Sequence, residues 1–489
     1  MAILAIDAGT TGVTAIAVNE IGEIISRGYC EFPQHFPSPG WVEHDAEDIW
    51  QATLTAVKTV VDTVGASNLN ALGITNQRET ILIWDKKTLK APRRGIVWQD
   101  RRTADIVNQL KEDNHEGIVK NLTGLGLDPY FSSTKLTWLT RNEKDVWQGV
   151  LDGNFAVGTV DTYLVARLTA GEIFVTDASN ASRTQLLDIK TGKWSEELGE
   201  IFQVPTNILA NVVDSYGIIQ STDPASFLGL SIPIAGIAGD QQAALFGQTA
   251  FEIGESKCTY GTGSFILYNT GQEFMISDQG LLTTIAWREP EGKITYALEG
   301  AVFVTGAAVQ WLRDGLGIIK SASEVEELAS KVESTDGVVF VPALSGLGAP
   351  YWDPNARGSI TGITRGTTSA HIARATLEAI AFQVRDVVDA MSRDINKPLA
   401  QLRVDGGASA NNLLMQMQSD VLSVPVVRGK TLETTALGAA FLAGLGTGVW
   451  KDKNELRSSV KTDREFKPNL NSNLDYAHWQ EAIKRTLTN

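Results

Sequence analysis

Hydrophobic positions along this chain follow two periods in turn. Near the start, residues 3–8 and 13–18 are short and almost wholly apolar, separated by Gly9-Thr10-Thr11-Gly12. Short apolar runs bounded by turn residues predict buried strands. The same pattern returns at Cys258-Thr259-Tyr260, Gly261-Thr262-Gly263 and Ser264-Phe265-Ile266-Leu267. Further strands are predicted over 70–75, 80–85, 232–239, 280–287 and 402–404. The first two of these read as a hairpin whose tip is Asn76-Gln77-Arg78-Glu79. Helical spacing governs 50–64, 101–113, 240–248, 411–421 and, at greatest length, 369–392. In that last helix Ile372, Thr376, Ile380, Val384, Val387 and Met391 recur near one face. Residues 154–169 read as a strand running into a helix. Strands and helices in alternation predict an α/β architecture.

At 489 residues the chain is too long for one core. Two domains are expected, 1–250 and 251–489, joined by packed elements that hinge, since no Pro/Ser-rich linker intervenes. The segment from Lys451 is rich in charge, but Phe466, Tyr476, Trp479 and Ile483 predict that it docks on the body through a short amphipathic helix. The longest apolar stretch, Ala436 to Trp450, is broken by four glycines, so no membrane span is expected. No basic segment precedes the apolar start, which argues against a signal peptide. Cys30 and Cys258 cannot form a disulfide framework and fit free thiols in a reducing cytoplasm. A net charge of −15 repels nucleic-acid phosphates, so DNA and RNA are excluded as partners; ATP is not.

The two glycine-threonine turns change the picture most. Glycine admits φ > 0 and carries no Cβ, so such a turn brings N–H groups and small hydroxyls close to phosphate oxygens. One turn in each half suggests a nucleotide held between similar domains. Asp7, at the end of a strand, is placed to hold magnesium directly or through water. Gly406-Gly407-Ala408-Ser409-Ala410-Asn411 lies between a strand and a helix, a third place for close approach of a nucleotide; it also reads as an ordinary turn with Ser409 as helix cap. Asp240 reads either as a helix cap or as a general base at the mouth of a cleft. Arg78-Glu79 reads either as a solvated hairpin tip or as a polyol-binding pair, donors and acceptor meeting neighbouring hydroxyls. Trp98, Tyr130 and Phe265 could wall off the carbon atoms or simply fill core. The five histidines show no metal-ligand spacing, and hydrolase-elbow, Walker and protein-kinase motifs are absent.

Together these residues resemble the FGGY family of carbohydrate kinases, built on the actin-like ATPase fold, and within it the members that phosphorylate glycerol. The likeness runs from Ile3 to about Trp450. One family signature is matched by Tyr130-Phe131-Ser132-Ser133-Thr134-Lys135-Leu136-Thr137-Trp138-Leu139. The other is matched by residues 358–363 followed by 371–378. Gly73 to Thr80, Asp128-Pro129-Tyr130-Phe131, Gly239 to Gly247 and Gly348 to Pro354 match the glycerol-specific branch.

The resemblance implies two actin-like (ribonuclease H-like) domains with mixed sheets flanked by helices, hinged around a nucleotide cleft. It implies ATP and Mg²⁺ as cofactors, glycerol as substrate, a homodimer or homotetramer, and a cytoplasmic location. Arg78, Glu79, Trp98, Tyr130, Asp240, Gln241 and Phe265 would meet glycerol, with Asp240 as the base. Thr10, Thr11, Gly261 and Thr262 would meet phosphates. Gly306, Gln310, Gly407 and Asn411 would line the nucleotide pocket, and Asp7 with Asp240 would serve the metal. Ala8 stands where the family commonly has Gln. Residues 221–231 contain no basic residue, and no histidine lies between His115 and His371. A bisphosphate effector loop and a phosphorylated histidine, each found in some relatives, are therefore expected to be missing. Rival readings are a family member acting on a longer polyol or a ketose, and an actin-like structural or chaperone-type ATPase.

Overall fold

Each of the two large sheets in the computed structural model is seeded by one glycine-threonine turn. The structure describes residues 1–353, 355–469 and 471–488; Pro354, in one of the matched motifs, lies outside them. In the first sheet β1 (Ala2–Ala8) and β2 (Gly12–Asn19) pair antiparallel, and β3 (Ile24–Glu31) follows on β2. On the other side of β1 lies β4 (Leu69–Asn76), parallel to it. Two later strands complete the sheet: β5 (Tyr216–Ser221) at the edge and β6 (Pro233–Gly239), which is parallel to β4 and antiparallel to β5.

The second sheet repeats this plan. Antiparallel β7 (Ser256–Tyr260) and β8 (Ser264–Gly271) carry the second turn, followed outward by β9 (Leu282–Arg288) beyond β10 (Ile294–Val302). On the far side of β7 run parallel β11 (Leu402–Asp405) and β12 (Val426–Gly429), then antiparallel β13 (Thr462–Phe466). From β3 to β5 the pairings run antiparallel, antiparallel, parallel, parallel, antiparallel. From β10 to β13 they run the same way. The two halves are structural repeats, with β9 an addition to the second.

Residues 3–8 lack polar alternation because the first sheet is covered on both faces. Leu4 and Ile6 join Ile49 and Trp50 of α1 (Ala46–Val64) in one core, while Ile3 and Ala5 join Ala436 and Phe441 in another. Five more helices matter to the site and its support: α2 (Asp240–Gly247), α3 (Gly306–Asp314), α4 (Ser369–Ile395), α5 (Asn412–Leu422) and α6 (Thr434–Gly446). The glycine-rich apolar stretch is α6. It belongs by sequence to the second half but packs on β1, β4 and β6 of the first sheet and against α2. The tail docks as expected. Trp479 and Ile483 of α7 (Tyr476–Thr486) are buried, and the Trp479 indole N–H donates to Asp386 of α4 at 2.9 Å.

Two local expectations are corrected. The strand after Arg78-Glu79, Leu82–Asp85, does not pair with β4 but with Phe155–Gly158 in a small separate sheet. No hairpin exists there, and the supposed exposed tip is sealed: the side chains of Arg78 and Glu79 are 2% and 1% exposed. The second correction concerns the turns. Gly9, Gly12, Gly261 and Gly263 are not among the positive-φ residues. Gly12 and Gly263 are needed for close approach instead: a Cβ on Gly263 would stand 2.4 Å from the Val302 carbonyl oxygen, and one on Gly12 2.8 Å from that of Cys30.

Candidate active site

Parallel strands bring their carboxyl ends to one edge, the place where open α/β sheets bind ligands. The register makes this concrete. Ala8 of β1 lies beside Asn76 of β4, which lies beside Gly239 of β6. Asp7, the Gln77-Arg78-Glu79 segment and Asp240 therefore converge on one rim although they are far apart in sequence. Directly after β4 the chain reverses sharply, the Thr80 N–H donating to the Arg78 carbonyl at 2.7 Å with Glu79 at φ 61°. Positive φ in a non-glycine residue is a strained conformation held by its surroundings. Here it turns two successive charged side chains into the interior.

Five charged groups of alternating sign occupy that interior. The Arg78 guanidinium forks onto Glu299 of β10, Nη1 to Oε2 at 2.6 Å and Nη2 to Oε1 at 3.1 Å. Its Nε stands 3.1 Å from Asp240 Oδ1, and Nη1 also donates to the Gln242 side-chain oxygen at 3.3 Å. Arg183 donates through Nε to Glu79 at 2.7 Å and through Nη2 to Glu299 at 3.0 Å. Burial alone would push the Glu299 carboxyl up, but Arg183 and Arg78 outweigh it and hold it down at about 2. Burial wins at Glu79, whose carboxyl is raised despite Arg78 and Arg183. Asp240 differs from its neighbours: its side chain is 28% exposed. It is the first residue of α2, with Gly239 at the cap position, so it is not the helix cap; its Oδ1 accepts from the Gln241 N–H at 2.7 Å.

The aromatic residues gather beside this cluster. Tyr130 accepts a long hydrogen bond from Arg78 (3.4 Å) and meets Trp98 edge to face at 5.5 Å. Buried Lys135, within the first signature, donates to the carbonyls of Pro129, Tyr130 and Phe131 and so pins the segment that presents the Tyr130 ring. Phe265 of β8 lies opposite Ala301, two positions along from the Leu267–Glu299 pair, so it shares a sheet face with Glu299. Gln241 is buried, its side-chain oxygen taken by buried Lys257.

Each glycine-threonine turn closes the antiparallel pair that starts its own sheet. Trp98 donates its indole N–H to Thr10 at 2.9 Å, tying the first turn to the aromatic wall; Thr11 is exposed. Gly261 and Thr262 are exposed at the tip of the second turn, where α3 begins: Gly306 N donates to the Gly261 carbonyl at 3.0 Å. A Cβ on Gly306 would sit 2.6 Å from that oxygen. Gln310 is exposed one turn farther along α3. Gly406 has φ 83° and packs on the Tyr260 backbone, while Gly407 opens to free space. The helix after it is capped by Asn411, which accepts from Leu414 N at 2.9 Å, and not by Ser409, whose hydroxyl turns back to the Gly406 carbonyl. The repeat places Gly406-Gly407 directly after β11, in the stretch that in the first half leads from β4 into Arg78-Glu79. One plan thus serves a glycine-lined approach in one half and a charged one in the other.

Asp7 has an acceptor oxygen that no protein group satisfies. It is half-buried, its Oδ1 is buried without a hydrogen-bond partner, and burial, then the charges of Asp240 and Glu433, push its carboxyl up to about 8. Among the described residues no cluster of three or more metal-ligating side chains exists. Any ion here would need further oxygens besides those of Asp7.

Sequence reading missed Arg183, Glu299, Gln242 and Lys257. For Glu299 a signal was present: it is the single charged residue in β10, a strand with no alternation of polar positions to suggest a solvated face. Residues 2–247 match the N-terminal domain of the FGGY family of carbohydrate kinases and residues 256–447 its C-terminal domain. The chain is 52% identical to a glycerol kinase of Bdellovibrio bacteriovorus over 99% of both chains, and 51% identical to one of Saccharolobus islandicus over 99% of this chain and 96% of that one. It superposes on the crystal structure of Plasmodium falciparum glycerol kinase with ADP at a TM-score of 0.93 and 36% identity, covering 100% of this chain and 98% of that one. A gluconate kinase from Lactobacillus acidophilus, 23% identical, shares the fold at a TM-score of 0.88, over 99% of this chain and 96% of that one. The chain belongs to the FGGY family of carbohydrate kinases.

Proposed function

We propose that this chain transfers the γ-phosphoryl group of ATP to glycerol, giving sn-glycerol 3-phosphate and ADP, with Asp240 as general base. The observation that carries this reading is the contrast inside the charged cluster. Arg78 and Glu79 are sealed at 2% and 1% exposure, while Asp240, 3.1 Å from Arg78, remains 28% open at the rim. A carboxylate fixed in direction yet accessible is what proton abstraction from a substrate hydroxyl requires. Arg78, Glu79 and Tyr130 supply donors and acceptors to neighbouring hydroxyls. Trp98 and Phe265 face the carbon atoms, and Gln241 lines the site beside Asp240.

As the terminal glycerol oxygen attacks the γ-phosphorus, its proton passes to Asp240 and the bond between that phosphorus and the β–γ bridging oxygen breaks. Thr10, Thr11, Gly261 and Thr262 hold phosphate oxygens; Gly306, Gln310, Gly407 and Asn411 line the remainder of the nucleotide site. The unpartnered Asp7 oxygen fits Mg²⁺, bound directly or through water, with Asp240 nearby. Magnesium would neutralise charge on the β- and γ-phosphate oxygens. Apposition of the two halves, 1–250 and 251–489, would exclude water and align the reacting atoms. Assembly as a homodimer or homotetramer in the cytoplasm completes the proposal.

An ADP-release assay with and without glycerol tests it, repeated with erythritol, xylulose and ribulose. Glycerol-dependent turnover is expected; preference for a ketose or longer polyol, or turnover indifferent to any polyol, would overturn the assignment. Asp240→Asn should lower kcat by about 10²–10⁴-fold while glycerol still binds. Near-normal turnover in that variant would remove Asp240 from the role of base.

A further inference from the structure

Glu299 is the one member of the charged cluster contributed by the second half of the chain. Asp240, Arg78, Glu79 and Arg183 all lie in the first. Its two oxygens are divided between two guanidinium groups: Oε2 takes Arg78 Nη1, while Oε1 takes both Arg78 Nη2 and Arg183 Nη2. Arg183 in turn is divided between two carboxylates, Glu299 and Glu79. All three side chains between Asp240 and Glu79 are buried. In that setting two guanidinium groups cannot share a small volume without the acid between them, and each acid needs a fixed donor. The orientation of Arg78 therefore depends on a strand of the opposite sheet, and the orientation of Glu79 depends on Arg183.

The geometry points to Glu299 and Arg183 as positioning residues that hold Arg78 and Glu79 in polyol-binding geometry, so that the polyol site of the first half is complete only while the second half is seated against it. This rests on the reading of Arg78 and Glu79 as polyol ligands. Neither Glu299 nor Arg183 need touch substrate; each acts through the residue it fixes.

Steady-state kinetics of the full chain separate this from a merely structural role. E299Q removes the charge between the guanidinium groups, and R183K keeps a charge but loses the fork. Each should raise the glycerol KM by about tenfold or more, leave the ATP KM within about twofold, and lower kcat by less than the glycerol KM rises, because Arg78 contacts the polyol in ground and transition states alike. E299D keeps the charge, shortens the reach and should fall between wild type and E299Q, which gives a reading if E299Q folds poorly. The double variant R183M/E299Q rebalances the buried charge. It should regain thermal stability relative to E299Q yet keep the raised glycerol KM.

Two results overturn the inference: a glycerol KM within about twofold of wild type in both E299Q and R183K, or a KM that returns to normal in the double variant together with its stability. R78A keeps the two levels apart. An unchanged glycerol KM in R78A defeats the polyol reading itself. A raised KM in R78A with none in E299Q or R183K defeats only the positioning role.

Discussion

Single carboxylates behave differently here according to what surrounds them, and two outside the charged lattice give direct tests. Asp7 has a buried oxygen with no partner and a carboxyl pushed up to about 8 by burial and by Asp240 and Glu433. Asp7→Asn keeps the shape but removes the ability to become the anionic ligand that a bound cation selects. The Mg²⁺ concentration for half-maximal turnover should rise by roughly 10–100-fold, as for the loss of a group that orients a metal's shell, with the glycerol KM unaltered; titration of activity against Mg²⁺ at saturating ATP reads both. Glu378 of α4 lines a cavity of about 190 Å³ beside Trp479. Burial raises its carboxyl to about 7 in spite of Arg374. The folded state therefore holds a proton there that the unfolded chain releases near 4.5. The contribution of Glu378 to stability is full below about 4.5 and is lost as pH rises through about 7. Glu378→Gln never titrates, so its stability relative to wild type should climb by up to about 1 kcal/mol per pH unit across that window. Denaturant melts at pH 4.5, 6 and 7.5 would show it; a flat difference would mean that the site relaxes to admit water.

At the scale of elements, close helix contact matters more than any turn residue. Helices α2 and α6 approach so tightly that a Cβ on Gly438 would meet the Ala243 carbonyl oxygen at 1.8 Å, and one on Gly247 the Thr434 oxygen at 2.1 Å. Gly438→Ala forces the helices apart and should cost about 1–3 kcal/mol. It should also lower kcat, since α2 begins at Asp240 and carries that carboxylate with it. Gly117 provides the opposite case: it is helical, exposed and has nothing within 4 Å of a new Cβ. Gly117→Ala should stabilise by a few tenths to about 1 kcal/mol. Thermal melts of the two variants should move in opposite directions.

These contacts also explain what could be read in advance. The buried strands, the long helix α4, Asp240 at the start of α2 and both glycine-threonine turns depend on local pattern, and all were legible. The supposed hairpin at 76–79 failed because the segment after it has strand character but finds its partner at 155–158, which no local pattern reveals. Arg183 and Glu299 were invisible for the same reason, since their partners lie 104 to 221 positions away.

The whole molecule is a repeat whose halves do not part cleanly. Both sheets share one pairing plan, yet α6 of the second half lies on the first sheet. It fits there through absent side chains: a Cβ on Gly73 of β4 would meet the Ala439 oxygen at 2.1 Å, and one on Gly236 of β6 the Ala443 nitrogen at 2.5 Å. Ala436, Leu437, Ala440, Phe441 and Leu442 of α6 are buried there. Sequence position divides the chain near residue 250; packing assigns residues 434–446 to the earlier half. A fragment ending at residue 250 would expose the apolar face that α6 covers, and apolar faces of that kind drive aggregation. Residues 1–250 alone should therefore be insoluble or bind hydrophobic dyes. The same fragment joined by a flexible linker to residues 430–450 should gain solubility and a cooperative melt, although without the second turn it should not phosphorylate glycerol. Equal solubility of the two fragments would show that the first sheet tolerates an open face, and that α6 serves only to connect the halves.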